Sequence, residues 1–390
     1  MTKKTDIFPD NPNVLGVIFT DVDVPAFDHL AARMRQMTDV CGTVYEPDKI
    51  DKLISLDGKK VELELKDNYI KVEETDKPSK PMKTETIDFP KLKPCNKILT
   101  SKECTSDVIG AKAVNLRRLE ELSEDGKIDA IIPKFIALPS GYLEPFMEDV
   151  NLNDEESFEK YNLLFTEFED NGRINEVFDA LKSNGIKSKE IMVRSSFNGE
   201  DLPNFSAAGM YRSTPSSLDP EEIIAKLSEV ANSQYGLSAK HIKSRYNIPD
   251  ESFMPGIILQ EKIKPDYRFT LYTDDNKGNL KIDLYSSKRT ALSVVPHTYT
   301  YNKESGELTY DSIQTEPFEV YFNEDEEIAG YAPEIDNLEG NEKLFDQLKK
   351  VAENALVVEK EFRAPQDIEG GIKGDDIYFW QSRKIVNKKN

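Results

Sequence analysis

Residues 193–213 read VRSSFNGEDLPNFSAAGMYRS, and the run that leads into them, EIMVRSS (190–196), has the composition of a short strand. The stretch suits neither a core strand nor an ordinary solvated helix. An arginine and two serines are followed by a glycine, the adjacent acids Glu200 and Asp201, and the small-residue turn SAAG ending at Gly209. A strand that delivers Arg194, Ser195 and Ser196 into such turns can present backbone N–H groups and a guanidinium to a polyphosphate, and small residues let the backbone come close. Taken alone, the segment also fits a surface hairpin with a salt-bridged arginine. What surrounds it therefore decides how it reads.

The surroundings are short strands alternating with helices. The first 75 residues or so follow the pattern of a strand (VLGVIFTD), a helix from about Asp28 to Met37, a strand near VCGTVYE, a helix at PDKIDKLI, and the strands KKVELEL and YIKVEE. The stretch ETDKPSKPMKTETIDFPKLKP has no periodicity and is rich in proline and lysine, the composition of a stiff linker, so a boundary is expected there. The expected organisation is residues 1–75, a linker over 76–95, and a larger unit over 96–390. In the larger unit helical patterns such as AKAVNLRRLEEL alternate with the strands EIMVRSS, GIILQEKI, KIDLYSS and DIYFWQSR. The fold class expected is mixed, α/β and α+β.

Composition limits the function classes. With 72 acidic against 51 basic residues the formal charge is -21, which disfavours nucleic acid and anionic membranes as partners. The start MTKKTDIFPD lacks an apolar signal core, and no run of 18 apolar residues occurs, so a cytoplasmic location and no membrane span are expected. Cys41, Cys95 and Cys104 are scattered and read as reduced thiols. The sequence leaves the oligomeric state open.

Three further segments carry groups suited to phosphate. In VIGAKAVNLRRLEEL, Lys112 opens an amphipathic helix after a glycine, where its ammonium can reach a phosphate. GIILQEKI places Gln260 and Glu261 at the end of an apolar strand, a position from which an adenine edge could be read. PQDIEGGIKGDDIYFWQSRKI predicts a hairpin with Glu369 on one strand and Gln381 and Arg383 on the next. A carboxylate facing an amide oxygen can hold Mg2+ beside phosphates, with Arg383 offsetting the remaining charge.

GAKAVNL, VRSSFNGEDLPNFSAAG, ILQE and DIEGGIKGDDIYFWQSR, in that order, resemble the ATP-binding domain shared by phosphoenolpyruvate synthases, pyruvate phosphate dikinases and glucan water dikinases. The resemblance implies a two-lobed ATP-grasp fold with ATP between the lobes. It implies Lys112 and Arg194 on phosphates, with Ser195, Asp201 and Gly209 in the same ATP-binding set. Gln260 and Glu261 would lie near adenine, Glu369 and Gln381 on magnesium, and Arg383 on phosphate. ATP and Mg2+ are the cofactors it implies.

Members of this family pass phosphate through a histidine on a swivelling domain. The chain has three histidines, and His29 lies in AFDHLAARMRQM, where Asp28 could cap a helix. At 100 degrees per residue, His29, Arg33 and Gln36 share one stripe while Leu30, Met34 and Met37 form the neighbouring apolar face. A helix N-terminus stabilises added phosphate, and Arg33 one turn on can pair with it. DHLAARMRQ is similar to the glucan water dikinase pattern, as is the order of histidine segment before ATP-binding segment. That resemblance implies transfer of the β-phosphate of ATP through a phosphohistidine to a glucan-like or other hydroxyl acceptor, releasing AMP and phosphate. Two alternatives stay open: an ATP-binding regulatory protein without transfer, and a phosphotransferase acting on a small molecule. Asp28 stands where the family has a hydroxyl residue, and KIDLYSSKRTALSVVPHTY replaces a glycine-rich GLGE-like segment, which keeps the first alternative in view.

Overall fold

The computed structural model describes residues 16–19, 40–43, 47–66, 69–77, 87, 89–143, 171–202, 211–235, 239, 243, 246–249, 252–275, 277–286, 297–312, 319–322, 328–332 and 341–385. The chain divides into two units. The first comprises Met1–Phe89 with Ala207–Tyr211 and Ser233–Ser252, and the second comprises Pro90–Ser206, Arg212–Asn232 and Phe253–Asn390.

In the first unit, β1 (Gly16–Phe19) and β2 (Val40–Thr43) pair in parallel, and α1 (Pro47–Ile54) follows. A hairpin of β3 (Val61–Lys66) and β4 (Tyr69–Glu74) comes next, paired from Val61↔Glu74 to Lys66↔Tyr69. Ion pairs at its open end, Lys59 with Glu74 at 2.9 Å and Lys77 with Glu62 at 2.6 Å, are exposed and add little stability. His29, Arg33 and the helix expected around them lie outside the described residues.

The second unit holds two larger sheets. The first is antiparallel, ordered β5-β6-β9-β7-β8, from β5 (Leu99–Thr100), β6 (Phe135–Leu138), β7 (Glu190–Ser195), β8 (Ser213–Ser217) and β9 (Ile257–Glu261). Its central strands are buried on both faces. Ile136, Leu138, Ile191, Val193, Ile257 and Leu259 pack against two helices that lie between the strands in sequence, while Ala137 and Ile258 join the core on the opposite side.

Four helices of this unit follow in chain order: α2 (Ala111–Glu124), α3 (Arg173–Ser183), α4 (Pro220–Ala231) and α5 (Glu342–Phe362). α3 buries Ile174, Val177 and Leu181, one stripe at helical spacing, against the five-stranded sheet. α4 starts where Asp219 accepts from Glu222 N at 3.1 Å and Pro220 presets the first turn.

The second sheet is ordered β13-β12-β11-β10-β16-β17, from β10 (Tyr267–Tyr272), β11 (Asn279–Ser286), β12 (His297–Asn302), β13 (Leu308–Ser312), β16 (Gln366–Lys373) and β17 (Asp376–Lys384); β14 (Glu319–Phe322) and β15 (Ile328–Ala332) form a separate pair. Its strands alternate apart from two register shifts, one at Thr298/Tyr299 and one at Glu369/Gly370 that leaves Trp380 unpaired on β17. Phe269, Leu271, Ile282, Leu284, Tyr299, Ile368 and Ile372 face the core with α2 and α5. Thr270, Tyr272, Asp283, Asp367, Glu369, Gln381 and Arg383 take the alternate positions, so the other face is polar. α5 begins with Asn341 accepting from Leu344 N at 3.0 Å and ends at Arg363, whose φ of 57° is left-handed.

The mixed α/β class expected from the sequence is the one observed. Among the described residues, no helix is long and apolar enough to cross a membrane.

Candidate phosphate-binding site

The site is built where β7 ends, α2 begins and β17 bends. β7 carries Arg194 and Ser195 to its last two positions, and the chain then turns through Ser196 and Phe197. Ser196 Oγ accepts from Ala113 N and donates to Gly110 O, both at 3.0 Å, while Gly110 N donates to Ser196 O at 3.2 Å. These bonds clamp the start of α2 to the exit of β7. The approach requires glycine: a Cβ on Gly110 would lie 2.3 Å from the carbonyl oxygens of both Ser196 and Phe197.

That clamp aims Lys112 into the cluster. Its ammonium donates to Ser195 Oγ at 3.1 Å and pairs with Glu200 at 2.7 Å, and both charged side chains are buried. The other oxygen of Glu200 accepts from Phe197 N at 2.9 Å, so one carboxylate fixes both the loop and the lysine. Glu200 is a residue that motif reading did not assign a role.

Arg194 links the two sheets. From its place on β7 the guanidinium donates through Nη1 to Gln260 Oε1 at 2.8 Å and to the Trp380 carbonyl at 2.6 Å, and through Nη2 to Gln381 Oε1. Glu369 Oε2 lies 3.8 Å from Nη2. Gln260 is 1% exposed, and its Nε2 donates to Pro133 O at 3.3 Å, so both ends of its amide are engaged within the protein. Glu261, next along β9, accepts from Ser188 N at 3.2 Å through its carboxylate.

The predicted hairpin of β16 and β17 is present, with Glu369 directly opposite Gln381 and Asp367 opposite Arg383. Gln381 Nε2 donates to Glu369 Oε1 at 2.8 Å. Arg383 donates to Asp367 through Nε at 2.7 Å and approaches the same oxygen through Nη2 at 2.6 Å. Asp367 is a second residue that motif reading passed over. Its signal was available, because positions 367 and 369 alternate with Ile368 and face 383 and 381 across an antiparallel pair.

The site thus gathers three cations, Lys112, Arg194 and Arg383, and four carboxyls, Glu200, Asp201, Asp367 and Glu369. For Arg194, Asp201, Asp367 and Arg383 burial is the largest single influence. It pushes Asp201 up to about 6, helped by Glu200 and opposed by Arg383 and Lys112. It also raises Asp367, against the pull of Arg383. Burial lowers Arg194, with Glu369 and Glu200 opposing. Arg383 ends above its ordinary value because Asp367, Glu369 and Asp201 together outweigh its burial. Asp201 also has a left-handed backbone, φ 55°, which aspartate tolerates better than most residues.

Among the described residues, three buried polar atoms here have no hydrogen-bond partner: Arg194 Nε, Asp201 Oδ2 and Asp367 Oδ1. Each costs about 1–3 kcal/mol if left unmet. A donor without an acceptor suits a phosphate oxygen, and the two bare acceptors suit a cation or its water. Among the described residues no group of three or more His, Cys, Asp or Glu could hold a metal ion unaided. Mg2+ typically takes one or two protein carboxylates and shares substrate phosphates. Glu369 and Asp367 Oδ1 offer carboxylate acceptors for it, while Gln381 Oε1 accepts from Arg194. Gly209 lies outside the described residues.

The chain is 28% identical over 296 residues to the uncharacterized phosphotransferase YvkC of Bacillus subtilis, which covers 73% of this chain and 34% of that protein. It is 23% identical over 208 residues to a probable phosphoenolpyruvate synthase of Archaeoglobus fulgidus, covering 51% of the chain and 27% of the relative. A rifampicin phosphotransferase of Streptomyces sviceus is 26% identical over 203 residues, 50% of the chain and 23% of the relative. The chain therefore spans about a third or less of the length of these curated relatives. The family model described as the pyruvate phosphate dikinase AMP/ATP-binding domain matches residues 106–390, the stretch that supplies every residue of the site, and the chain belongs to that family.

Proposed function

We propose that this chain binds Mg-ATP in an ATP-grasp-like site and serves a phosphotransferase. The observation that carries the reading is Arg194: one buried guanidinium is held by acceptors from both sheets, and its Nε–H lacks an acceptor that a phosphate oxygen would provide. Lys112 and Arg383 extend the cationic set, with Ser195 beside Lys112. Glu369 and Asp367 would hold the metal, which when bound neutralises phosphate charge and orients the chain of phosphates.

In this reading the acceptor of the first transfer is His29. Its imidazole attacks the β-phosphorus, the bond to the α-phosphate breaks so that AMP leaves, and water takes the γ-phosphate as orthophosphate. The phosphohistidine then passes its phosphoryl group to a hydroxyl acceptor. Covalent relay divides the transfer into two steps. Support for His29 comes from the AFDHLAARMRQM pattern. A glucan-like acceptor rests on that pattern and the segment order; the names of the relatives, which include a phosphoenolpyruvate synthase and a rifampicin phosphotransferase, favour small molecules equally.

The test uses ATP labelled separately at the β and γ positions. The expected result is acid-labile β-label on the protein, release of AMP, and loss of both in His29→Ala. ADP as product would point to an ordinary kinase. ATP binding without label or turnover would favour a regulatory protein, the reading that Asp28 and the absent GLGE-like segment support.

A further inference from the structure

Gln260 occupies the position from which sequence reading expects adenine to be read, and its surroundings leave nothing to read with. At 1% exposure it offers no surface to a base. Its Oε1 accepts from Arg194 Nη1 at 2.8 Å and its Nε2 donates to Pro133 O at 3.3 Å. Those two partners set the polarity of the amide. Turned over, it would place its NH2 against the guanidinium and its oxygen against a carbonyl.

The register explains why this side chain meets that arginine. β7 and β9 pair with Arg194 opposite Ile258 and Met192 opposite Gln260, so Arg194 and Gln260 are diagonal neighbours on one face of the five-stranded sheet. Nη1 carries two hydrogens, and Gln260 Oε1 and the Trp380 carbonyl take both. With Nη2 on Gln381, rotation of the guanidinium is blocked, and Nε is its one nitrogen without an acceptor.

We propose that Gln260 is a positioning residue: it locks the Arg194 guanidinium so that the edge bearing Nε is free for a phosphate oxygen, and it takes no part in selecting the base. This rests on the ATP reading above, and deepens it by separating phosphate recognition from base recognition at the end of β9.

Gln260→Met keeps length and apolar volume while removing both bonds. The first readout needs no nucleotide: the rate at which phenylglyoxal labels Arg194, followed by mass spectrometry, with Arg212, whose side chain is 67% exposed, as internal control. Labelling of Arg194 should rise severalfold in Gln260→Met with Arg212 unchanged, and Gln260→Glu, which restores an acceptor for Nη1, should recover protection. The second readout is calorimetric affinity for ATP, GTP and adenosine. Gln260→Met should weaken ATP by about tenfold or more while adenosine affinity and the ATP-to-GTP ratio stay within about twofold.

Unchanged labelling of Arg194, or a collapsed ATP-to-GTP ratio with the triphosphate advantage over adenosine intact, overturns the proposal. If Gln260→Met unfolds, all arginines label fast, and Gln260→Glu decides: protection with an unchanged base ratio supports positioning, and an altered ratio contradicts it. A wild-type protein that binds no ATP sinks the ATP reading, while the labelling result still decides whether Gln260 holds Arg194.

Discussion

The two sheets of the second unit solve different problems. The five-stranded sheet is buried on both faces around its central strands, so any charge it carries must be met by protein groups. Arg194 is met by Gln260, the Trp380 carbonyl and Gln381, and Lys112 at the adjoining helix start is met by Glu200 and Ser195. The six-stranded sheet buries one face and leaves the other polar, so its charged residues pair across neighbouring strands in register. The first side supplies two of the three cations, Lys112 and Arg194, and each side supplies two carboxyls. A metal-bound polyphosphate needs both, and at the junction of the sheets are a bare donor, Arg194 Nε, and a bare acceptor, Asp367 Oδ1.

Breaking the buried side should cost most. Gly110→Ala drives a Cβ to 2.3 Å from two backbone oxygens that have no flexible end to yield. A loss of about 3 kcal/mol or more is expected. Urea denaturation measures it, and a loss well under 1 kcal/mol would show that the clamp between α2 and β7 is loose. Nucleotide affinity should fall as well, because the same clamp aims Lys112.

An effect of opposite sign is expected at Asp201. Its folded value of about 6 lies above the ordinary 3.8, so the fold disfavours its ionised form. That penalty is absent below about pH 4, grows as pH rises through 6, and is complete near 8. Asp201→Asn should therefore match the wild type in stability near pH 4 and exceed it by about 3 kcal/mol at pH 8. Thermal melts across that range decide it, and a variant equally or less stable at pH 8 would show that Asp201 is not strained by burial.

Much of this arrangement was legible in the sequence because it is local. The last residues of a strand, the first turn of a helix after a glycine, and a hairpin whose two strands carry Glu369 and Gln381 in step all follow from periodicity and turn chemistry. What escaped are the contacts made between distant segments. Glu200 as partner of Lys112 depends on α2 docking against the loop after β7, and Asp367 as partner of Arg383 depends on which polar positions face each other. Gln260 shows the limit most clearly: the end of an apolar strand suggested a base contact, but antiparallel pairing with β7 turned its amide onto Arg194.

Both sheets are expected to bind one polyphosphate. Calorimetric titration of ATP, with and without Mg2+, into the wild type, Arg194→Lys and Glu369→Gln decides it. Arg194→Lys keeps the charge but loses the fork that spans the sheets, and affinity should fall by about ten- to a hundredfold. Glu369→Gln, from the other sheet, should abolish most of the gain in affinity that Mg2+ gives the wild type. Wild-type affinity and a full Mg2+ effect in either variant would contradict a single site shared by the two sheets.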